Sequence, residues 1–354
     1  MSATTITLDH VSLSTALSIC APVAGKWERI HGPAGNIAID WDGDSATVTA
    51  SSNAVTATHR VTLVSAFPPA GNMIVPVSAI MSVMESRDIT ITTDDGSKAT
   101  IQSDRNRRAA TISSRNLAHI ALPIDTSNRP GDVNGQALSD AITATSWAMG
   151  KSGTTVVEFG PNPTVTACNG ATLAQARVSV VGASDGRVRV SKDDANTLGT
   201  VMSRMDRMGI HSTDEYTSFV GDGAHIKVVS LAPSSYESMV DILDETTTGP
   251  CSGIDTKTLQ QALARVAPFA TKGDFHIQAA ADRLTIKAVL PDAGDAETSV
   301  ACRTTREWKV GVNFAALTSA LKACHEDARL AKTTSTIMVS AQDYTAHIGF
   351  FLVE

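Results

Sequence analysis

The chain has 354 residues, 42% of them hydrophobic and 18% charged, with a formal net charge of -7 at pH 7. That length suffices for two or three domains with cores of their own, and no stretch approaches the roughly 20 apolar residues of a membrane helix. The acidic balance argues against a protein that coats nucleic acid indiscriminately, although bases gathered on one face would still act through their local potential.

The N-terminus, MSATTITLDH, has no basic region followed by an apolar block, so no secretory signal is expected and a cytoplasmic setting is the expectation. The first predicted helix is SLSTALSIC, where Leu13 and Leu17 stand at i,i+4 and can share a buried face. The strands NIAIDW and SATVTAS follow, parted by the turn WDGD. A second helix is expected after Pro76, a residue tolerated at helix starts, with Ile80 and Met84 on its buried side. The strands DITITT and KATIQS, parted by DDGS, come next, and a polar link with Pro and Gly, ALPIDTSNRPGDVNG, begins at Ala121.

Beyond that link the order recurs. A helix, NGQALSDAITATSW, places Leu138 and Ile142 at i,i+4, and the strands TVVEF, TVTAC and RVSVVG follow. Next come a helix on Leu198 and Met202 and the strand HIKVVS, before a second link, DILDETTTGPCSG, from Asp241. The third round opens with DTKTLQQALARVA, where Asp255 is a plausible N-cap and Leu259 and Leu263 form the pair. The strands FHIQAA and RLTIKAV, a helix from Asn313 carrying Leu317 and Leu321, and the strands TIMVS and TAHIGFFLV complete it. Thr and Val dominate the strands, as suits half-buried sheet positions.

One supersecondary unit is therefore read three times, which points to tandem domains at 1–123, 124–246 and 247–354. The register is tight: the first leucines fall at 13, 138 and 259, and the lysines Lys26, Lys151 and Lys272 keep a constant distance from them. Function in such a chain can lie in an assembly of copies and need not lie in a single pocket.

Motifs for other chemistry fail on context. GASDG, Gly182 to Gly186, matches G-x-S-x-G with Ser184 as nucleophile, but the nucleophile elbow needs a helix directly after it, and the alternating RVRV follows. MGKSG lacks the earlier glycine of a phosphate loop, since Thr145 stands there. In CHED, Cys324 to Asp327, consecutive helical residues point about 100° apart and cannot converge on a metal. DWDGD, Asp40 to Asp44, reads as a hairpin turn, without the closing Glu of an EF-type calcium loop. The five cysteines are scattered with no C-x-x-C and read as reduced structural thiols. Aromatic content of 4% argues against a stacking platform for single-stranded nucleic acid.

Four stretches carry a family resemblance. IQSDRNRRAATIS is similar to a Ser-Gly-Arg-Ser-Arg-Phe segment, with Ser103, Arg105 and Arg107 matching, Asp104 in place of glycine and Arg108 in place of the aromatic. TVTACNGATLAQARV is similar to a strand-turn-strand A-T-D-G-x-R-L-A, with Gly170 and Leu173 on the pattern, Asn169 for the aspartate and Thr172 for the arginine. VNFAALTSALKAC is similar to N-x-x-Y-L-x-x-A-L through Asn313, Leu317, Ala320 and Leu321. HIGFFLVE stands in the place of a final strand ending Met-Pro-Met-x-Leu, with Phe351 for the proline. Together, in this order and over nearly the whole chain, they resemble the bacterial DNA polymerase III beta subunit, the sliding-clamp family.

That resemblance implies an α+β chain of three tandem clamp-fold domains, each with two helices backed by antiparallel sheet. It implies a homodimeric ring around double-stranded DNA, a processivity factor that tethers DNA polymerase and other replication or repair proteins. An ATP-driven clamp loader opens such rings; they need no cofactor and catalyse nothing, and they work in the cytoplasm at the nucleoid. Lys26, Lys151 and Lys272 are then the first expected backbone contacts, with Arg204, Arg207, Arg265, Lys322 and Arg105 beside them. Contacts of this kind position a duplex without reading its sequence. Short clamp-binding peptides are expected in a groove carried by position onto Gly170, Leu173, Ile348, Phe350 and Leu352. Two alternatives stay open: a non-DNA interaction protein on a repeated scaffold, and a serine hydrolase using Ser184.

Overall fold

The structure, a computed structural model, describes residues 4–24, 35–52, 54–64, 69–84, 87–93, 98–103, 106–113, 131–151, 153–159, 162–182, 186–213, 215–221, 223–231, 243, 249–252, 254–270, 274–291, 294–324 and 328–351. Six α-helices are found among these residues: α1 His10–Ala24, α2 Val77–Val83, α3 Gly135–Thr145, α4 Lys192–Met202, α5 Thr256–Ala270 and α6 Phe314–Ala323. They coincide with the six expected, except that Met84, read as a buried helical partner of Ile80, is the C-cap residue of α2.

The repeat extends to the chemistry of the helix starts. Asp9 accepts a hydrogen bond from the Ser12 amide at 2.8 Å, Asn134 from the Ala137 amide at 2.8 Å, and Asp255 from the Thr258 amide at 2.9 Å. Each cap satisfies an amide that has no partner within the helix. The residue four places after each cap is Leu13, Leu138 or Leu259, and all three are fully buried. The second helices of the later rounds are capped alike, Ser191 accepting from the Asp194 amide and Asn313 from the Ala316 amide. Pro76 stands at the matching place and makes no side-chain cap.

The chain divides into two compact units. The first comprises Met1–Ser139, Phe159–Pro161 and Ser179–Leu231. Its larger sheet has nine antiparallel strands, in the spatial order Val180–Gly182, Gly131–Asn134, Arg207–Ser212, Tyr216–Gly221, Ala224–Val229, Val55–Thr62, Ser45–Ser51, Asn36–Asp42 and Gly71–Pro76. Strand Ala224–Val229 pairs with Val55–Thr62, so the sheet runs across the boundary read between the first and second sequence segments. Helix α1 lies on strands Val55–Thr62 and Ser45–Ser51 and meets α4, burying Leu13, Leu17 and Cys20. A second sheet orders Thr4–Leu8, Ile89–Thr93, Lys98–Ser103 and Asn106–Ser113. DWDGD forms the expected hairpin: Asp42 pairs with Ser45, and Gly43 takes the positive φ of 62° that such a turn favours.

The second unit comprises Asp140–Glu158, Asn162–Val178 and Ala232–Glu354. Its sheet runs Thr154–Glu158, Thr164–Cys168, Thr172–Arg177, Tyr344–Phe351, Trp308–Val312, Asp274–Ala280, Arg283–Leu290 and Gly294–Ala301. Strand Tyr344–Phe351 is its hub. Residues 344–348 pair with 172–176 on one side and with 337–341 on the other, and Phe350 and Phe351 then pair with Val312 and Gly311. Helix α5 covers strands Arg283–Leu290 and Gly294–Ala301 and meets α6, where Gln260 donates to the Leu321 carbonyl at 3.0 Å. All five cysteines are buried free thiols, in keeping with the structural reading. Burial raises the Cys20 and Cys324 thiols to about 12.

Candidate functional site

The helices carry little charge. Helices α1 and α2 hold no Asp, Glu, Lys or Arg, and α3 holds Asp140 alone. Helix α4 carries Lys192, Asp193 and Asp194, α5 carries Lys257 and Arg265, and α6 carries Lys322. Asp194 is buried, its carboxylate taken up by hydroxyls of Ser52 and Ser191. Four bases against three acids therefore stand on these helices, in a chain whose overall count is 29 bases to 36 acids. The helices are the less acidic part of the molecule.

The expected phosphate contacts fall into three groups. Lys151, Arg265 and Lys322 are exposed, Lys151 on the turn after Gly150, whose φ of 56° reverses the chain there. Arg204 and Arg207 are exposed but engaged: Arg204 donates to the Ser18 carbonyl of α1, and Arg207, on a strand and not a helix, pairs with Asp132 at 2.8 Å. Lys26, Lys272 and Arg105 lie outside the described residues. Lys192 and Lys257 stand on the helices themselves and, unlike the three lysines of the repeat, have no counterpart in the other rounds.

The described groove residues do not share one surface. Directly paired residues of an antiparallel sheet lie on the same face, and neighbours alternate. Thr172 pairs with Ile348 and Leu173 with His347, so Leu173 and Ile348 are on opposite faces. Leu173 is fully buried in a cluster with Val156 and Cys168, against which Leu243 packs. Gly170, with a φ of 87°, is exposed at the turn between strands. Phe350 is half-buried, with the Lys332 ammonium 4.9 Å from its ring centre. Leu352 lies outside the described residues.

On the Ile348 face, at the end of the strand pair, a pocket of about 300 Å³ opens. Trp147, Asn169 and Thr172 line it from the second sequence segment, and Asn313, Ala316 and Ile348 from the third. Local chemistry fixes each polar group. Asn169 accepts from the amides of Ala171 at 3.0 Å and Thr172 at 2.9 Å, which builds the turn at Gly170. Asn313 spends its oxygen as the α6 cap. Both carboxamide oxygens are thus committed to backbone amides. Trp147 donates its indole N–H to the Tyr344 hydroxyl at 2.9 Å. Burial raises the Tyr344 phenol well above its ordinary range, so it stays neutral. Among the described residues, no Lys, Arg, Asp or Glu lines the pocket. It is suited to an uncharged, partly apolar group.

Trp147 was not singled out in the sequence, yet a signal was present. The equivalent places in the first helices of rounds one and three hold Pro22 and Pro268, both inside their helices. Round two departs from its copies at the residue that lines the pocket.

No protein-family model matches the sequence, and no curated protein sequence matches it. Solved structures do. The DNA polymerase III subunit beta of Pseudomonas aeruginosa superposes with a TM-score of 0.81 at 18% identity, over 98% of this chain and 100% of that one. The beta sliding clamp of C. crescentus gives 0.80 at 15% identity, over 99% and 100%. A chain from Eubacterium rectale, provisionally described as a DNA polymerase III beta subunit, gives 0.83 at 12% identity, again over 99% and 100%. From end to end, the chain has the fold of the bacterial sliding clamp.

Proposed function

We propose that the chain is a DNA sliding clamp, a non-catalytic processivity factor that encircles duplex DNA and tethers DNA polymerase. The observation that carries this reading is the full-length match to clamp structures. The threefold recurrence of cap and buried leucine supports it, since a ring of pseudo-equivalent domains needs repeated units. On this reading the domains are 1–123, 124–246 and 247–354, and two chains supply six. A ring holds DNA by topology, so strong phosphate binding is unnecessary, and each added contact steepens salt dependence and adds grip. Helices with four bases and three acids suit a surface that must let DNA slide.

Two end strands support closure of such a ring. Gly294–Ala301 and Asn106–Ser113 are each last in their sheet among the described residues. An unpaired edge is a template for another strand. The first carries Asp295 and Glu297, which share the Lys287 ammonium at 3.1 and 3.9 Å and so leave a net negative charge there, and the second has Arg107 and Arg108 in its sequence. Pairing the two edges head to tail sets one of the two arginines on the face that carries Asp295 and Glu297, and closes after two copies. Polymerase and other partners dock through a short segment at the pocket beside Trp147, and an ATP-driven loader opens the ring. Negative-stain electron microscopy tests the assembly: class averages show a closed ring with a hole that admits duplex DNA. Compact particles without a hole at any concentration overturn it in favour of an interaction protein on a repeated scaffold.

The strand Arg187–Ser191, not a helix, follows the G-x-S-x-G match at Ser184, and Ser184 itself lies outside the described residues. That order lends the hydrolase alternative no support.

A further inference from the structure

Trp147 sits on a one-turn 3-10 helix, Ser146–Met149, that follows α3 without a side-chain cap. Such turns have poorer hydrogen-bond geometry than an α-helix and hold a side chain weakly by themselves. Two bonds from outside the turn compensate. Thr172, itself a pocket residue, donates its hydroxyl to the Ala148 carbonyl at 2.9 Å, and the indole N–H of Trp147 donates to Tyr344 at 2.9 Å. The indole has a single polar group and it is a donor only, so that one bond fixes the direction of the ring.

Tyr344 is well placed to act as the anchor. It is 7% exposed, and its strand is paired on both sides, with Ala176 across one edge and Ala341 across the other. It is on the same sheet face as Ile348 and does not itself line the pocket. Since Pro22 and Pro268 occupy the matching place in rounds one and three, the helix start-to-end repeat does not require an indole there.

We propose that Tyr344 is a positioning residue for partner docking: its hydroxyl holds the Trp147 indole as a wall of the pocket, so that a flat or branched apolar side chain of the partner packs on the ring. This rests on the docking reading given above. Without the tether the indole is free to turn and the pocket loses its shape, while the fold keeps its core.

The test uses the full chain and the blocked tripeptide acetyl-Gln-Leu-Phe-amide, with affinity read from the peptide's NMR signals. That probe offers apolar side chains for Trp147 and Ile348 and carbonyls for the amide NH2 groups of Asn169 and Asn313. Tyr344→Phe, which keeps the ring, is expected to weaken binding about fivefold, the scale of one net hydrogen bond. The near-UV circular dichroism of the indole should change with it. Trp147→Phe should weaken binding as well, and the double variant should be no weaker than Trp147→Phe alone, a coupling that a general loss of stability does not produce. Ala316→Trp fills the pocket and serves as the control. If Ala316→Trp blocks the tripeptide while Tyr344→Phe binds as the native chain does, the positioning role is overturned and docking stands. If Ala316→Trp leaves binding unchanged, or the tripeptide does not bind the native chain, docking at this pocket falls and the positioning role falls with it.

Discussion

Asp9, Asn134 and Asp255 perform one task at three helix starts, and two of them lose it in acid. Bonds from the Ser12 amide and hydroxyl to Asp9, and from the Thr258 hydroxyl and amide to Asp255, hold both carboxyls below the ordinary aspartate value of 3.8. A depressed folded-state pKa means stability that is fully present above 3.8 and is lost as pH falls through the lowered value. Thermal melts of an Asp9→Ala/Asp255→Ala variant should therefore lie below the native chain at neutral pH and converge with it in acid. Asn134→Ala, at a cost of about 1 kcal/mol, should keep a constant gap across the same range. A second prediction at this scale concerns phosphate contacts. Reversing Lys26, Lys151 and Lys272 to Glu should lower duplex affinity at low salt roughly tenfold or more, and flatten its salt slope, because each lost contact removes counterion release. Filter binding across a salt series reads both, and an unchanged slope contradicts the assignment.

At the scale of elements, what could be read and what could not separate along physical lines. The i,i+4 apolar pairs located all six helices, because a helix needs only its own periodicity to show a buried face. Strands such as Ser45–Ser51 and Thr164–Cys168 were read to the residue from alternating Val and Thr. Gly294–Ala301 was not among the strands read, since Asp295, Glu297 and Ser299 have poor strand preference. It is a strand because eight residues pair in register with Arg283–Leu290. The groove assignment divided for a related reason. Whether Ile348 shares a face with Leu173 depends on a cross-strand register between residues far apart in sequence, and one step of register exchanges the faces. Trp147 was not read at all, and its only mark in the sequence is that prolines hold its place in the other two rounds.

The edge strands carry the prediction that belongs to this scale. Arg107→Glu/Arg108→Glu should weaken self-association about tenfold or more, since like charges across an interface are costly. Sedimentation should then shift toward the 37.0 kDa monomer. Adding Asp295→Lys/Glu297→Lys to the same chain should restore the larger species. Reversal with no effect on mass would remove the strand-to-strand account of closure.

At the scale of the whole molecule, two features combine: a fold matched end to end by sliding clamps, and helices that bring little charge to any duplex they face. A protein that gripped DNA by charge would need more bases than these helices hold. One that encircles it would not. The two mechanisms differ in how they respond to salt and to DNA ends. Electrostatic contacts fade as the screening length shrinks to about 3 Å near 1 M salt, whereas a closed ring leaves only by opening or by sliding off an end. The measurement that tests this most directly mixes the protein with a linear duplex biotinylated at both ends, lets it thread on, and then blocks the ends with streptavidin. After a wash in about 1 M salt, retained protein is quantified before and after a restriction enzyme cuts the duplex in the middle. Retention that requires blocked ends, survives the wash and vanishes on cutting is the predicted result. Protein that is washed away by salt whether or not the ends are blocked, or that stays bound after the cut, would contradict encirclement.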